Sequence, residues 1–251
     1  MPGDVGSEQA ENRRRDETAE AEQHSGEERL SHRPTIMSPS PFVLESLGRY
    51  ARPGGDSRAR TRVFDVAMGR GRHALPIARG GYCVYGVDVN PEALQDAARV
   101  AQREGVRLRV WCADLTQHPL PRAYFDVVLV TRYLQRDLFP AIRDALVPGG
   151  IVIYETFTVK QLALGVGPKS PDHLLEPGEL RRHFDDFEVL FYEEVERPEA
   201  IARLVARNNH HRATEPQRES RYSLACSVSL CLCVSVVVVT HETASALRPE
   251  R

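Results

Sequence analysis

Apolar and polar positions change their spacing several times along the chain. Residues 41–50 set Phe42, Val43, Leu44 and Leu47 at helical intervals, and the Pro53-Gly54-Gly55 run breaks the pattern soon afterwards. Residues 62–67 form a compact apolar run, followed by a helical stretch over about 73–79. The alternation continues with a strand at 82–89 and a helix at 91–104, Pro91 taking the favoured first turn. Two strands follow, at 107–112 and 125–130. The second is almost wholly apolar, as suits a strand covered on both faces. Residues 136–146 read as a helix stopped by Pro148-Gly149-Gly150, and 151–156 as a fifth strand. Residues 177–184 read as a helix, and 187–194 with 201–206 as a closing antiparallel pair. This alternation predicts an α/β protein: a doubly wound, mostly parallel seven-stranded sheet with helices on both faces.

The two ends depart from this pattern. Residues 1–33 contain no Phe, Tyr, Trp or Ile. Such a stretch buries too little apolar surface to offset chain entropy, so a disordered charged tail is expected. Its Arg13-Arg14-Arg15 run lies between Glu11 and Asp16-Glu17, which cancel its field. The folded domain is expected over 34–207. Beyond it, 208–251 reads as a low-complexity tail with no function. Within that tail, residues 222–240 carry no charge and meet the length of a membrane span. Their Ser, Cys and Val content favours extended structure equally, and a membrane is a partner only if this run is an anchor.

Charge and cysteine content narrow the function. The 251 residues hold 33 Lys+Arg against 35 Asp+Glu, a net charge of −2, so no basic excess serves nucleic acid as a partner. Cysteines 83, 112, 226, 231 and 233 give neither a disulfide framework nor a paired zinc pattern, and no metal is expected. A reducing cytoplasmic location is the simplest expectation, since the N-terminus has no apolar signal region.

The chemistry gathers at the ends of the first three strands. The first runs into Asp65-Val66-Ala67-Met68-Gly69-Arg70-Gly71-Arg72-His73, a glycine-bearing loop leading to a helix. Glycines there permit close approach of a nucleotide-like ligand at the carboxyl edge of the sheet. Gly-x-Gly turns are common, and the reading gains weight from two spaced acids. Asp88 closes the second strand, where a carboxylate can take both ribose hydroxyls, and Val89 follows it. Asp114, with Leu115, follows the third strand within reach of an adenine amino group. Structural roles for the same acids are a helix cap for Asp88 and a turn for Asp114. The loop also fits the looser dinucleotide pattern, which leaves an NAD-dependent oxidoreductase as an alternative. Asp65 argues against it, because an acid four residues before the first glycine suits a ligand carrying positive charge.

The Asp65-x-Ala67-x-Gly69-x-Gly71 stretch, Asp88 and Asp114 together resemble class I S-adenosylmethionine-dependent methyltransferases. Further stretches resemble the tellurite-resistance (TehB-like) branch: 69–75, Ala78-Arg79-Gly80-Gly81-Tyr82, 176–184 and Leu204-Val205-Ala206-Arg207. Met68 departs from such motifs, which often carry Cys or a small residue there. The resemblance implies S-adenosyl-L-methionine as cofactor, held by Asp65, Ala67, Gly69, Gly71, Arg72, His73, Asp88, Val89, Asp114 and Leu115, with the 41–50 helix over the cleft. It also implies in-line methyl transfer to a small-molecule acceptor such as a thiol, an oxyanion or a metalloid like tellurite. A protein that binds the cofactor without turnover is a further alternative.

Acceptor-facing candidates are Arg132 and Tyr133 after the fourth strand, Glu155 at the end of the fifth, and His173 in the loop beyond. Arg132 serves equally as a surface ion-pair partner. For His73, packing or donation to the cofactor carboxylate is expected rather than action as a base. The Asn/Asp-Pro-Pro-Tyr signature of DNA amino-methylating enzymes is absent after the fourth strand.

Overall fold

A computed structural model describes residues 38–51, 61–209 and 236–238. The expectations for 1–33 and for most of 208–251, including the membrane question at 222–240, lie outside these residues.

The described chain runs α1 (Pro41–Tyr50), β1 (Arg62–Val66), α2 (Ala74–Arg79), β2 (Cys83–Asp88), α3 (Pro91–Glu104), β3 (Leu108–Cys112), β4 (Phe125–Thr131), α4 (Phe139–Ala145), β5 (Leu146–Phe157), α5 (Glu179–Arg182), β6 (Glu188–Val195), β7 (Ile201–Arg207) and β8 (Val236–Val238). All seven expected strands enter one sheet, ordered β6-β7-β5-β4-β1-β2-β3, and β8 adds to its far edge. β1 to β5 pair in parallel, while β7 lies antiparallel between β5 and β6. β8 comes from the tail for which no role was expected; it pairs antiparallel with β3, Val237 opposite Val110.

Local signals account for most boundaries. Asn90 caps α3 by accepting from the Glu92 and Ala93 amides, and Gly105 ends it in the left-handed conformation at φ 65°. Ala93, Ala97 and Ala101 let that helix approach the sheet closely. Two apolar layers enclose the strands. Phe64, Phe125, Phe139, Tyr154 and Phe184 dominate one, and Val63, Leu75, Leu94, Val127 and Ile153 lie in the other. β4 is buried almost throughout, as its apolar run implied.

Two helices are shorter than the sequence suggests. The 136–146 stretch begins as a 3-10 turn over Arg136–Leu138, and its last residue, Leu146, already pairs with Phe125 as strand. The 177–184 stretch keeps only Glu179–Arg182, because Gly178 is left-handed at φ 71° and the His183 carbonyl accepts from Arg143. Arg136 fastens this region. It reaches both Glu179 oxygens at 2.7 and 3.0 Å and the Leu174 carbonyl at 2.9 Å. Among the described residues, no helix is long and apolar enough to cross a membrane.

Met68, the residue that departs from the motif, has a seat made for it. A Cβ on Gly86 of the neighbouring strand would lie 2.0 Å from the Met68 sulfur. Gly86→Ala should therefore cost about 1–3 kcal/mol by overpacking. Met68→Ala in the same chain should recover part of that loss in urea unfolding.

Candidate functional site

The strand order reverses between β1 and β4, and open α/β sheets bind ligands outside the carboxyl ends of the strands at such a reversal. Two non-glycine residues are left-handed there: Ala67 just past β1 and Arg132 just past β4, each with φ 53°. Strain of this kind persists only where the surroundings enforce it, and it clusters at functional sites. Gly69 and Gly71 share the left-handed conformation, at φ 56° and 80°. A Cβ on Gly69 would meet no atom within 4 Å, so the loop has open space on that side.

Asp65 is the most unusual group in the fold. It is 1% exposed, and neither carboxylate oxygen accepts a hydrogen bond of good geometry. Burial pushes its pKa up to about 7, with Asp88 adding to the rise; the Ala74 amide and the Arg72 guanidinium offset only part of it. A buried acid left this way wants a cationic partner. Arg72 is partly buried and, among the described residues, makes no hydrogen bond or ion pair. Burial lowers its pKa, nearby Arg132 lowers it further, and Glu155, Asp65 and Glu199 pull the other way. An unpaired acid and an unpaired base at one loop suit the zwitterionic end of an amino acid.

His73 takes the packing role of its two expected ones. Its ring is buried, and both nitrogens are engaged within the protein: Nε2 accepts from the Ser40 amide at 3.0 Å, and Nδ1 lies 3.2 Å from the Thr131 hydroxyl. Accepting at Nε2 places the proton on Nδ1. Burial, with Arg72 and Arg132 nearby, depresses the pKa to about 3. The imidazole is thus neutral, with both nitrogens taken up within the protein.

The other predicted residues occupy recognisable places. Asp88 at the end of β2 accepts from the Gly69 amide at 2.7 Å and the Asn90 amide at 2.9 Å, fastening the glycine loop to its neighbour strand. Asn90 and not Asp88 caps the helix. A carboxylate has further acceptor positions, so both amides leave room for hydroxyls. Val89 is 67% exposed beside it. Asp114 takes the turn role, accepting from the Thr116 amide and hydroxyl and from Gln117, bonds that hold its pKa down. Leu115 is half-buried beside it.

On the acceptor side, Arg132 pairs with Glu199 at 2.6 and 2.9 Å and lies over the Phe157 ring. The Tyr133 hydroxyl is bound to Gln135. Glu155 is buried; its Oε2 accepts from the Ser40 hydroxyl at 3.1 Å and from Arg203 at 2.8 Å, while Oε1 accepts nothing among the described residues. His173 is exposed on the Pro171–His173 turn, so nothing gathers it into this cluster. Sequence reasoning missed Ser40, Glu199 and Arg203, which reach the site from an unremarkable serine, the turn between β6 and β7, and β7 itself. Helix α1 packs against β5; Ser40, the residue before it, touches the carboxyl edge, and Phe42 in its first turn lies under Arg203. A separate cavity of about 370 Å³, lined by Arg122, Arg143, Asp144 and Phe187, opens at the opposite edge.

Comparison with known proteins gives this site its family. The methyltransferase domain family matches residues 63–150, from β1 to the start of β5. This stretch resembles a methyltransferase domain. The domain is 37% identical over 111 residues to ribosomal protein L11 methyltransferase of Thermus thermophilus, a match covering 43% of this chain. The chain spans 41% of the length of that relative. A S-adenosylmethionine-dependent methyltransferase from Clostridium acetobutylicum superposes with TM-score 0.56 at 13% identity, over 77% of this chain and 100% of that one. TehB from Haemophilus influenzae superposes with TM-score 0.50 at 17% identity, over 66% and 67% of the two chains. These solved structures share the fold of the domain. The matches indicate S-adenosylmethionine as its cofactor.

Proposed function

We propose that the chain transfers a methyl group from S-adenosylmethionine to a small-molecule acceptor. The observation that carries this reading is the buried, unpartnered Asp65 carboxylate beside the unpaired Arg72. An ammonium on Asp65 and a carboxylate on Arg72 would satisfy both at once. When bound, the cofactor supplies a methyl group on a positively charged sulfur, already electrophilic. The chain's own contribution is alignment, worth about 7–11 kcal/mol where reacting groups are well oriented. In this reading the Gly69 and Gly71 loop lets the backbone approach, Asp88 takes the ribose hydroxyls, and Val89 and Leu115 flank the base. Asp114 keeps one free acceptor position for an adenine amino group.

The acceptor side supports a soft, easily methylated nucleophile. His73 has lost its basicity, Asp65 is taken by the ammonium, and Asp88 is bound by two amides. Thiols, oxyanions or a metalloid such as tellurite fit a site with so little base to offer, and Arg132, Tyr133 and Glu155 line the approach. Ser40 spans from His73 to Glu155 across the carboxyl edge, which favours a small acceptor over a folded one. The motifs shared with the tellurite-resistance branch point the same way.

Incubation of the full chain with methyl-tritiated cofactor and a panel of thiols, selenite and tellurite tests this. Label should appear in a small, extractable product. Label found only in added ribosomal protein, or no transfer to any acceptor, would contradict the proposal.

A further inference from the structure

His73 sits where the cofactor loop, β4 and the start of α1 meet, and its ring joins all three. Nε2 takes the Ser40 N–H at 3.0 Å, and Nδ1 lies 3.2 Å from the Thr131 hydroxyl, with the ring 2% exposed. Ser40 in turn donates its hydroxyl to Glu155 at 3.1 Å, and Glu155 accepts from Arg203, which also reaches Glu193 at 2.8 Å. One continuous chain of polar contacts therefore crosses the carboxyl edge, from the loop beside Arg72 to the wall formed by β5, β7 and β6. Every charged member away from His73 has a partner of opposite sign. Two groups of the same loop, Asp65 and Arg72, are left unpaired among the described residues.

We infer that His73 is a positioning residue for the cofactor loop, its neutral imidazole holding Ser40 and Thr131 so that Arg72 and the glycines stay aimed at the ligand. This rests on the methyltransferase reading. The imidazole suits the task because it is an acceptor at one edge and a donor at the other in a single tautomer. A protonated ring would lose its acceptor edge and repel Arg72. The depressed basicity keeps the ring neutral across the working range. Burial and its neighbours Arg72 and Arg132 all favour that state.

Two kinds of variant test the inference, read by calorimetric titration of S-adenosylhomocysteine. His73→Phe keeps the shape and removes both contacts; His73→Gly opens a space that free imidazole can refill. Ser40 lies at φ −66°, a value proline adopts unaided, so Ser40→Pro removes the N–H without moving the backbone. Ser40→Ala keeps the N–H and removes only the hydroxyl. His73→Phe and Ser40→Pro should weaken binding by about tenfold or more, as loss of a buried hydrogen bond implies. Ser40→Ala should lose less. Millimolar imidazole should restore affinity to His73→Gly and leave the natural protein unchanged, a rescue that general loss of stability would not give.

Natural affinity in His73→Phe and Ser40→Pro, or loss in His73→Gly that imidazole does not relieve, would overturn the inference. If the His73 variants fail to fold, the Ser40→Pro and Ser40→Ala pair decides alone. Failure of the natural protein to bind S-adenosylhomocysteine would overturn the methyltransferase reading itself, a different outcome from binding that ignores these substitutions.

Discussion

Replacing Asp65 with Asn should make the empty protein more stable at pH 8 and cost it most of its cofactor affinity. The first half follows from linkage. The Asp65 pKa is raised in the folded state, from an ordinary 3.8 to about 7. A raised carboxyl pKa means that the folded state binds more protons than the unfolded one between those values. Stability is therefore greatest below about pH 4 and falls as pH rises through 7. Three pH units of displacement correspond to roughly 4 kcal/mol, which the ionised carboxylate costs the empty fold above pH 7. Asn removes that cost while keeping the shape, so melting at pH 8 should rise by several degrees and approach the value at pH 5. The second half follows from charge. An ammonium set against a buried carboxylate gains a charge-assisted bond that an amide cannot match, and affinity for S-adenosylhomocysteine should fall about 100-fold or more. Unchanged affinity in Asp65→Asn would reduce the acid to a structural residue.

Arg72→Gln should show the same opposition between stability and binding. The guanidinium has no hydrogen bond or ion pair among the described residues, so its loss relieves a burial cost and the repulsion of Arg132 against only the longer-range attraction of Glu155, Asp65 and Glu199. Stability of the empty protein should hold or rise slightly. Affinity for S-adenosylhomocysteine should drop by about 30-fold, the scale of a charge-assisted contact to a carboxylate. Arg72 also helps to keep Asp65 ionised. Removing it should therefore move the midpoint of the stability-versus-pH curve above 7. Pairing of that midpoint shift with weaker binding, in calorimetry and thermal melts run side by side, separates an active arrangement of charges from a packing role. A loss of stability of 2 kcal/mol or more with unchanged affinity would refute it.

The parts of this architecture that were legible in the sequence are those written in local pattern. β4 announced itself as an almost wholly apolar run, α3 by Pro91 in its first turn, and the glycine loop by its spacing after β1. Asp65 stood out because an acid four residues before the first glycine suits a ligand carrying positive charge. Relations between distant residues were not legible. Nothing in the sequence joins Ser40 to His73 or Arg203 to Glu155, since each pair is brought together only when β5, β7 and α1 assemble. The shortened α5 has a similar origin: the carbonyl of His183 at its end and its Glu179 are claimed by Arg143 and Arg136 from elsewhere in the chain. Asp114 shows the opposite risk, an acid at a suggestive place whose bonds are nearly all local. The tail was read from composition alone, and its short β8 owes its pairing to an edge that composition cannot reveal.

The central claim is that an unpartnered Asp65 awaits a cation, and proton release on binding tests it most directly. S-adenosylhomocysteine, with NAD alongside, would be titrated into the full chain by calorimetry at pH 6 and pH 8, in buffers of different ionisation enthalpy. With a pKa of about 7 in the empty site, Asp65 is mostly protonated at pH 6 and must shed its proton to receive an ammonium. Binding at pH 6 should release close to one proton per site, and at pH 8 almost none, with NAD failing to bind at either pH. Binding of S-adenosylhomocysteine with no proton released at pH 6, or binding of NAD in its place, would contradict the account.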